Sequence, residues 1–302
     1  MNNEIPFNIR RKVIASTTYE GWKKSPHVSY VYEADATDFY AEYIKLNLSG
    51  KYASHISFNT LLIRIIVEGI KAAPQMNATI QYNPFLVIGK ITVTDEININ
   101  MPFLLSGGEM LTINLRNFGN KSLHEMTEYI NRINIKIKNT NIELALLDVG
   151  FSDTLKELRH GKIIKAFGRI LGILINHKNI HRYSKTEKKA YINTPLENRL
   201  SKNDLNQGTI TISNLGSAVQ GTKGVVGLLE IVPPQVCVIG IGALQEKPGI
   251  YYKDNNLPQI GTRKIIPFTI AFDHRALDFG DIAPFINQLE SIFNNSSVIH
   301  TL

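Results

Sequence analysis

The 302-residue chain holds one cysteine, Cys237, and one tryptophan, Trp22. A lone cysteine excludes an intramolecular disulfide framework, and a chain of this length forms a core without such staples. No basic-then-apolar run opens the sequence, which starts Met-Asn-Asn-Glu-Ile-Pro, so no secretory signal is expected. Long apolar runs are also lacking, because Arg169, Glu230 and the pair Pro233-Pro234 interrupt the longest stretches. The reading is a cytoplasmic protein. Internal repeats, low-complexity tracts and a Gly-x-Ser-x-Gly nucleophile elbow are absent as well. What is present is an ordinary globular balance, 43 % hydrophobic and 20 % charged, which excludes a disordered or fibrous chain.

The net charge of +7 is concentrated. Between Leu155 and Leu200 stand eleven Lys or Arg against three Glu, a local +8 that leaves the remainder at −1. Nucleic acid is therefore not expected as a partner, since the basic residues do not spread along a binding face. Any electrostatic partner belongs to that one segment.

Period-two alternation predicts a strand over 27–34, with Val28, Tyr30 and Tyr32 on one side. A short helix follows, capped by Thr37 or Asp38, with Phe39, Tyr40, Tyr43 and Ile44 as its stripe. A stronger helix is predicted over 59–73, where Leu61, Leu62, Ile65, Ile66 and Ile70 share a face and Pro74 ends the ladder. Strands are predicted over 209–213, 235–241 and 265–272, the second buried on both faces. Asp281 is expected to cap a last helix through Ile282, Phe285, Leu289 and Phe293. This mixture gives an α/β or α+β class.

Two stretches carry chemistry. Phe272-Asp273-His274-Arg275-Ala276-Leu277-Asp278 places a histidine just past a buried strand, with an aspartate four residues later. An imidazole held there suits a general base, and the same spacing suits a structural histidine. Gly208 to Gly216 reads as a strand ending in Ser213 and Asn214 before a glycine turn. A hydroxyl at a strand end can donate to a developing oxyanion or simply satisfy the turn.

Asp273-His274-Arg275-x-x-Asp278 resembles the active-site motif of the acyltransferase components of 2-oxo acid dehydrogenase complexes. Gly208–Gly216, then Ile231-Val232-Pro233-Pro234-Gln235-Val236 and Ile239-Gly240-Ile241-Gly242, resemble that family's strand, loop and strand. Arg11-Lys12-Val13-Ile14-Ala15 and Ser25-Pro26-His27-Val28-Ser29 resemble the start of its catalytic domain. The resemblance implies a chloramphenicol acetyltransferase-like two-layer sandwich, a mixed sheet with flanking helices, assembled as trimers with sites between subunits. It implies His274 as the base for a thiol of coenzyme A or of a dihydrolipoyl group, and Ser213 as oxyanion donor from a different chain. Asp278 would support the base, possessing a partner in Arg11, with Asn214 beside Ser213. Coenzyme A is then a substrate, and no metal is expected.

The sequence departs from the pattern in three places. Phe279 follows Asp278 where the family has glycine. No Asp-Lys pair offers a lipoylation site and the chain begins at the catalytic domain, so a lipoyl or acyl carrier protein is expected in trans. The third is residues 139–206, a basic helical insertion in a single catalytic domain spanning 1–302, with Phe167, Ile170, Leu171 and Leu174 on a helix that also carries Lys162, Lys165 and Arg169. It suits an acidic carrier, coenzyme phosphates or anionic lipid, with packing on its own trimer favoured over membrane contact. His177 and His181 have metal-ligand spacing without a third ligand, Cys237 suits packing, and Gly221-x-x-Gly224-x-x-Gly227 lacks the lysine of a phosphate loop. The leading expectation is a CoA-dependent acyltransferase acting by direct attack; the alternative is a non-catalytic trimeric assembly subunit.

Overall fold

The computed structural model describes residues 7–105, 108–159, 183–218, 223–252 and 257–302. They form two compact units, residues 1–19 with 130–206, and 20–129 with 207–302. Helix α1 (Ile9–Lys24) and helix α4 (Leu123–Lys138) each run across the boundary.

The larger unit is built on a mixed seven-stranded sheet. Its strands are β1 (His27–Asp35), β4 (Ile99–Leu104), β5 (Met110–Leu115), β6 (Ile210–Asn214), β7 (Cys237–Ile241), β8 (Gln245–Tyr252) and β9 (Pro258–Asp273). The order is β1-β9-β7-β6-β4-β5, with β8 on the first half of β9. β6 runs parallel to β4 and β7, whereas β9 is antiparallel to β1, β7 and β8. A separate hairpin joins β2 (Ala78–Asn83) to β3 (Ile88–Val93). β7 is buried throughout, as its unbroken apolar run requires, and burial pushes the Cys237 thiol well above its ordinary range.

Helices α2 (Thr37–Leu48), α3 (Phe58–Ala72) and α9 (Phe279–Asn294) complete this core. α3 begins one residue earlier than its periodicity predicts, because the Ser57 hydroxyl caps it by accepting from the Thr60 N–H at 3.0 Å. Its buried face includes Leu61, Leu62, Ile65, Ile66 and Ile70, and Gly69 leaves room for the Phe285 ring of α9. A tilted aromatic cluster links α2, β9 and α9 through Phe39, Phe268 and Phe293, with Phe39 and Phe293 centroids 4.8 Å apart. The α2 stripe is narrower than expected, since Phe39 and Tyr43 are buried but Ile44 is exposed. Asp281 does not cap α9 as expected. Asp278 is the N-cap, and Asp281 in the first turn accepts from its N–H at 2.8 Å.

The smaller unit contains α5 (Ile142–Arg159), α6 (Lys185–Asn193) and α7 (Lys202–Leu205) and takes in all described residues of 139–206. A Ser184–Glu187 capping box starts α6. Leu200 N–H donates to Thr140 Oγ1 at 2.8 Å, Lys136 pairs with the buried Asp204 at 3.2 Å, and the Arg199 guanidinium lies over the Tyr191 ring. The helix face expected from Phe167 to Leu174, with Lys162, Lys165 and Arg169, lies outside the described residues, as do His177, His181 and Gly221. Among the described residues, no helix is long and apolar enough to cross a membrane, and no group of three or more His, Cys, Asp and Glu is placed to hold a metal ion.

Candidate active site

His274 stands one residue past the end of β9, in a turn that several bonds fix. Its N–H donates to Pro26 O at 3.0 Å, and Ala276 and Leu277 N–H both donate to Asp273 O. Asp273 is fully buried and would be costly there without a partner. Arg275 supplies it, donating from its backbone N–H and Nε at 3.0 Å each and from Nη2 at 2.5 Å. The guanidinium then rests over the Tyr82 ring of β2. The sequence motif gave these two charged residues no assigned work; the structure gives them the work of holding the turn.

The imidazole is about half exposed, and its Nδ1 lies 3.1 Å from Leu277 O and 3.2 Å from Asp278 Oδ1. Two acceptors on Nδ1 assign the ring proton to that nitrogen and leave Nε2 as the free lone pair. Nε2 has no hydrogen bond to another described residue. That is the arrangement of a base whose tautomer is set from behind.

Ser213 and Asn214 end β6. Asn214 is held on both ends of its amide, with Nδ2 donating to Asn59 Oδ1 at 2.6 Å and Oδ1 accepting from Ser217 N–H at 2.9 Å. Asn59 sits in the first turn of α3, and no motif in the sequence pointed to it. The Ser213 hydroxyl is partly exposed and makes no hydrogen bond to another described residue. Upstream, the buried Gln235 ties the strand ends together, accepting from Thr211 Oγ1 at 2.6 Å and donating to Gly208 O at 2.8 Å. Beside Ser213, Gly240 has no room for a Cβ, which would meet Leu229 Cδ1 at 2.4 Å.

The register shows how these groups relate within a chain. Ser213 lies opposite Gly240, and Gly240 opposite Thr269. His274 stands five residues further along from Thr269, and β6 and β9 run in opposite directions. At about 3.3 Å per residue and about 4.8 Å per strand, the two side chains are separated by roughly 16 Å along the sheet and roughly 10 Å across it. Ser213 and His274 therefore occupy opposite ends of one sheet and do not meet within a chain. Asp278 meets His274; Asn214 adjoins Ser213. Arg11 is exposed in α1, its N–H donating to Asn8 Oδ1, and it belongs to the smaller unit while Asp278 belongs to the larger.

The model of the 2-oxoacid dehydrogenases acyltransferase (catalytic domain) family matches residues 1–149 and 175–300, leaving unmatched only residues 150–174 and the last two. The chain is 23 % identical to the dihydrolipoyllysine-residue acetyltransferase component of the pyruvate dehydrogenase complex of Mycoplasma genitalium, over 94 % of this chain and 56 % of that one. It is 23 % identical to the lipoamide acyltransferase component of the branched-chain alpha-keto acid dehydrogenase complex of Pseudomonas aeruginosa, over 96 % of this chain and 51 % of that one. The chain thus spans about half the length of these curated relatives. In fold it is similar to a probable dihydrolipoamide acetyltransferase from Listeria monocytogenes, with a TM-score of 0.62 and 19 % identity over 98 % of this chain and 96 % of that one. A dihydrolipoamide acetyltransferase from Azotobacter vinelandii, described by the roles of a serine, a histidine and an asparagine in its mechanism, gives a TM-score of 0.63 and 17 % identity over 99 % and 94 %. With the family model covering most of its length and its fold that of these catalytic cores, the chain belongs to the 2-oxoacid dehydrogenase acyltransferase family by its catalytic domain.

Proposed function

We propose that this protein transfers an acyl group between coenzyme A and a thiol, the partner thiol being a dihydrolipoyl group. The observation that carries the reading is the free Nε2 of His274, with Nδ1 between Leu277 O and Asp278 Oδ1. Nε2 takes the proton from the attacking thiol, and the sulfur adds to the thioester carbonyl carbon. The oxyanion so formed accepts a hydrogen bond from the Ser213 hydroxyl. Collapse expels the second sulfur as thiolate, which takes the proton back from the imidazolium. Asp278 and Leu277 O hold the ring through the cycle. In the Azotobacter vinelandii enzyme the asparagine named for the mechanism stands four positions after the histidine, the spacing of His274 and Asp278 here.

Because Ser213 and His274 lie at opposite ends of the sheet, a complete site needs a second copy of the chain. A closed trimer supplies three such junctions, each joining the His274 end of one copy to the Ser213 end of the next. In this reading Asn214, braced by Asn59, aims the strand end that carries Ser213.

The test is acceptor-dependent thiol release from acyl-CoA. His274→Ala lowers it by about 10² to 10⁴, and Ser213→Ala by about 10² to 10³. Co-assembling the two inactive variants restores about a quarter of the wild-type rate, since random mixing leaves an intact pair at that share of junctions. Full activity in His274→Ala sinks the reading of the base; no recovery on mixing sinks the shared site.

A further inference from the structure

Acyl transfer at His274 leaves unused an exposed strip beside the imidazole. Val28, Tyr30 and Phe279 are 36 %, 39 % and 51 % exposed. Val28 and Tyr30 alternate on β1 and so share a face. β1 is the edge strand of the sheet, so nothing within the sheet lies beyond it. The strip reaches the base from two directions. Val28 stands opposite Phe272, whose ring meets that of His274 edge-on at 5.9 Å. Tyr30 meets Phe279 edge-on at 5.2 Å, and Phe279 directly follows Asp278. An edge-to-face pair restrains both rings, which turns two surface aromatics into a fixed apolar wall.

Charge narrows what fits there. The exposed carboxylate at this end is Asp278, and the nearby cation Arg275 is already committed to the buried Asp273. An anionic chain would meet the Asp278 carboxylate, and Arg275 is held by Asp273 rather than free to balance it. A neutral apolar chain meets three apolar surfaces left in water.

We propose that Val28, Tyr30 and Phe279 form an open contact strip for the acyl chain of the thioester presented to His274, so that the site favours neutral acyl groups longer than acetyl. This rests on acyl transfer at His274. The carbon that is attacked must come within reach of a sulfur deprotonated by Nε2, so the chain attached to it leaves from beside the strip. Phe279 contributes the largest exposed surface and is the selecting residue.

The experiment measures kcat/KM for acetyl-, propionyl-, butanoyl-, isobutyryl- and succinyl-CoA with dihydrolipoamide as acceptor, in the wild type, Phe279→Gly and Tyr30→Ala. In the wild type the value rises about fourfold for each added methylene from acetyl to butanoyl, the ~0.8 kcal/mol of one buried CH₂, and succinyl falls below acetyl. Phe279→Gly flattens the rise, and Tyr30→Ala flattens it in part. A wild-type rate that falls with chain length, or a slope untouched by Phe279→Gly, overturns the strip alone. Absence of turnover with every donor overturns acyl transfer and the strip with it. Light scattering on the same samples covers the competing occupant: if Phe279→Gly dissociates the oligomer, the strip is a contact between copies and not a substrate surface.

Discussion

A carboxylate 3.2 Å from Nδ1 and a carbonyl 3.1 Å from the same atom divide one task between them at His274. Leu277 O survives any change at residue 278, so Asp278→Asn, which keeps an acceptor oxygen, is expected to retain most activity, while Asp278→Ala loses about fivefold in kcat, the order of 1 kcal/mol for one exposed hydrogen bond. Steady-state kinetics on the two variants check this, and an unchanged KM in both assigns the effect to the base. Asp35 gives a second residue-scale prediction. Burial pushes its carboxyl up, but hydrogen bonds from Arg263 and Thr37 outweigh that and hold it below its ordinary value. A depressed carboxylate contributes stability above its unfolded value of about 3.9 and loses it as pH falls through the folded value. Arg263→Met is therefore expected to cost about 0.5–1 kcal/mol at pH 7, a small figure because the pair is partly solvated, and progressively less as pH falls below about 3.9. Urea melts over that pH range read the difference.

The element scale shows where one sequence suffices and where it does not. α3 was legible because five large apolar residues recur at helical spacing and Pro74 closes the run; only its first residue moved, through the Ser57 cap. β1 was legible from its period-two alternation, and β6 and β7 within a residue or two from their β-branched runs. The first half of β9 was not, since Pro258 to Lys264 alternates around polar residues and pairs only with β8, itself interrupted by Pro248 and Gly249. β2 to β5 went unread, and β3 is exposed at every position, which removes the alternation that marks a strand. The cap of α9 was misplaced because Asp278 and Asp281 form one reciprocal motif and either end of it reads as a cap. The packing of α3 on α9 yields its own prediction. A Cβ at Gly69 would lie 2.5 Å from the buried Phe285 ring, so Gly69→Ala costs about 1–3 kcal/mol despite its better helix propensity. Thermal melting of this variant checks it; a rise in Tm counts against the packing.

On the scale of the whole molecule, the candidate site was legible as residues but not as a place. His274, Ser213, Asp278 and Asn214 stand out by type and spacing. Spacing alone does not tell which end of a sheet each occupies, because that depends on strand direction and register, and these are long-range facts. Asn59 and Arg275 were missed as supporting groups for the same reason: Asn59 acts on a residue 155 positions away, and Arg275 has meaning only once Asp273 is known to be buried.

In the proposed shared site, the sheet that separates Ser213 from His274 makes the active unit a product of encounter rather than of folding. Each chain would then carry half of two junctions and the whole of none, and the number of working sites would follow the law of mass action in protein concentration. Specific activity is then expected to fall as the enzyme is diluted through its association constant, at a point where circular dichroism still reports folded chains, and to return on reconcentration.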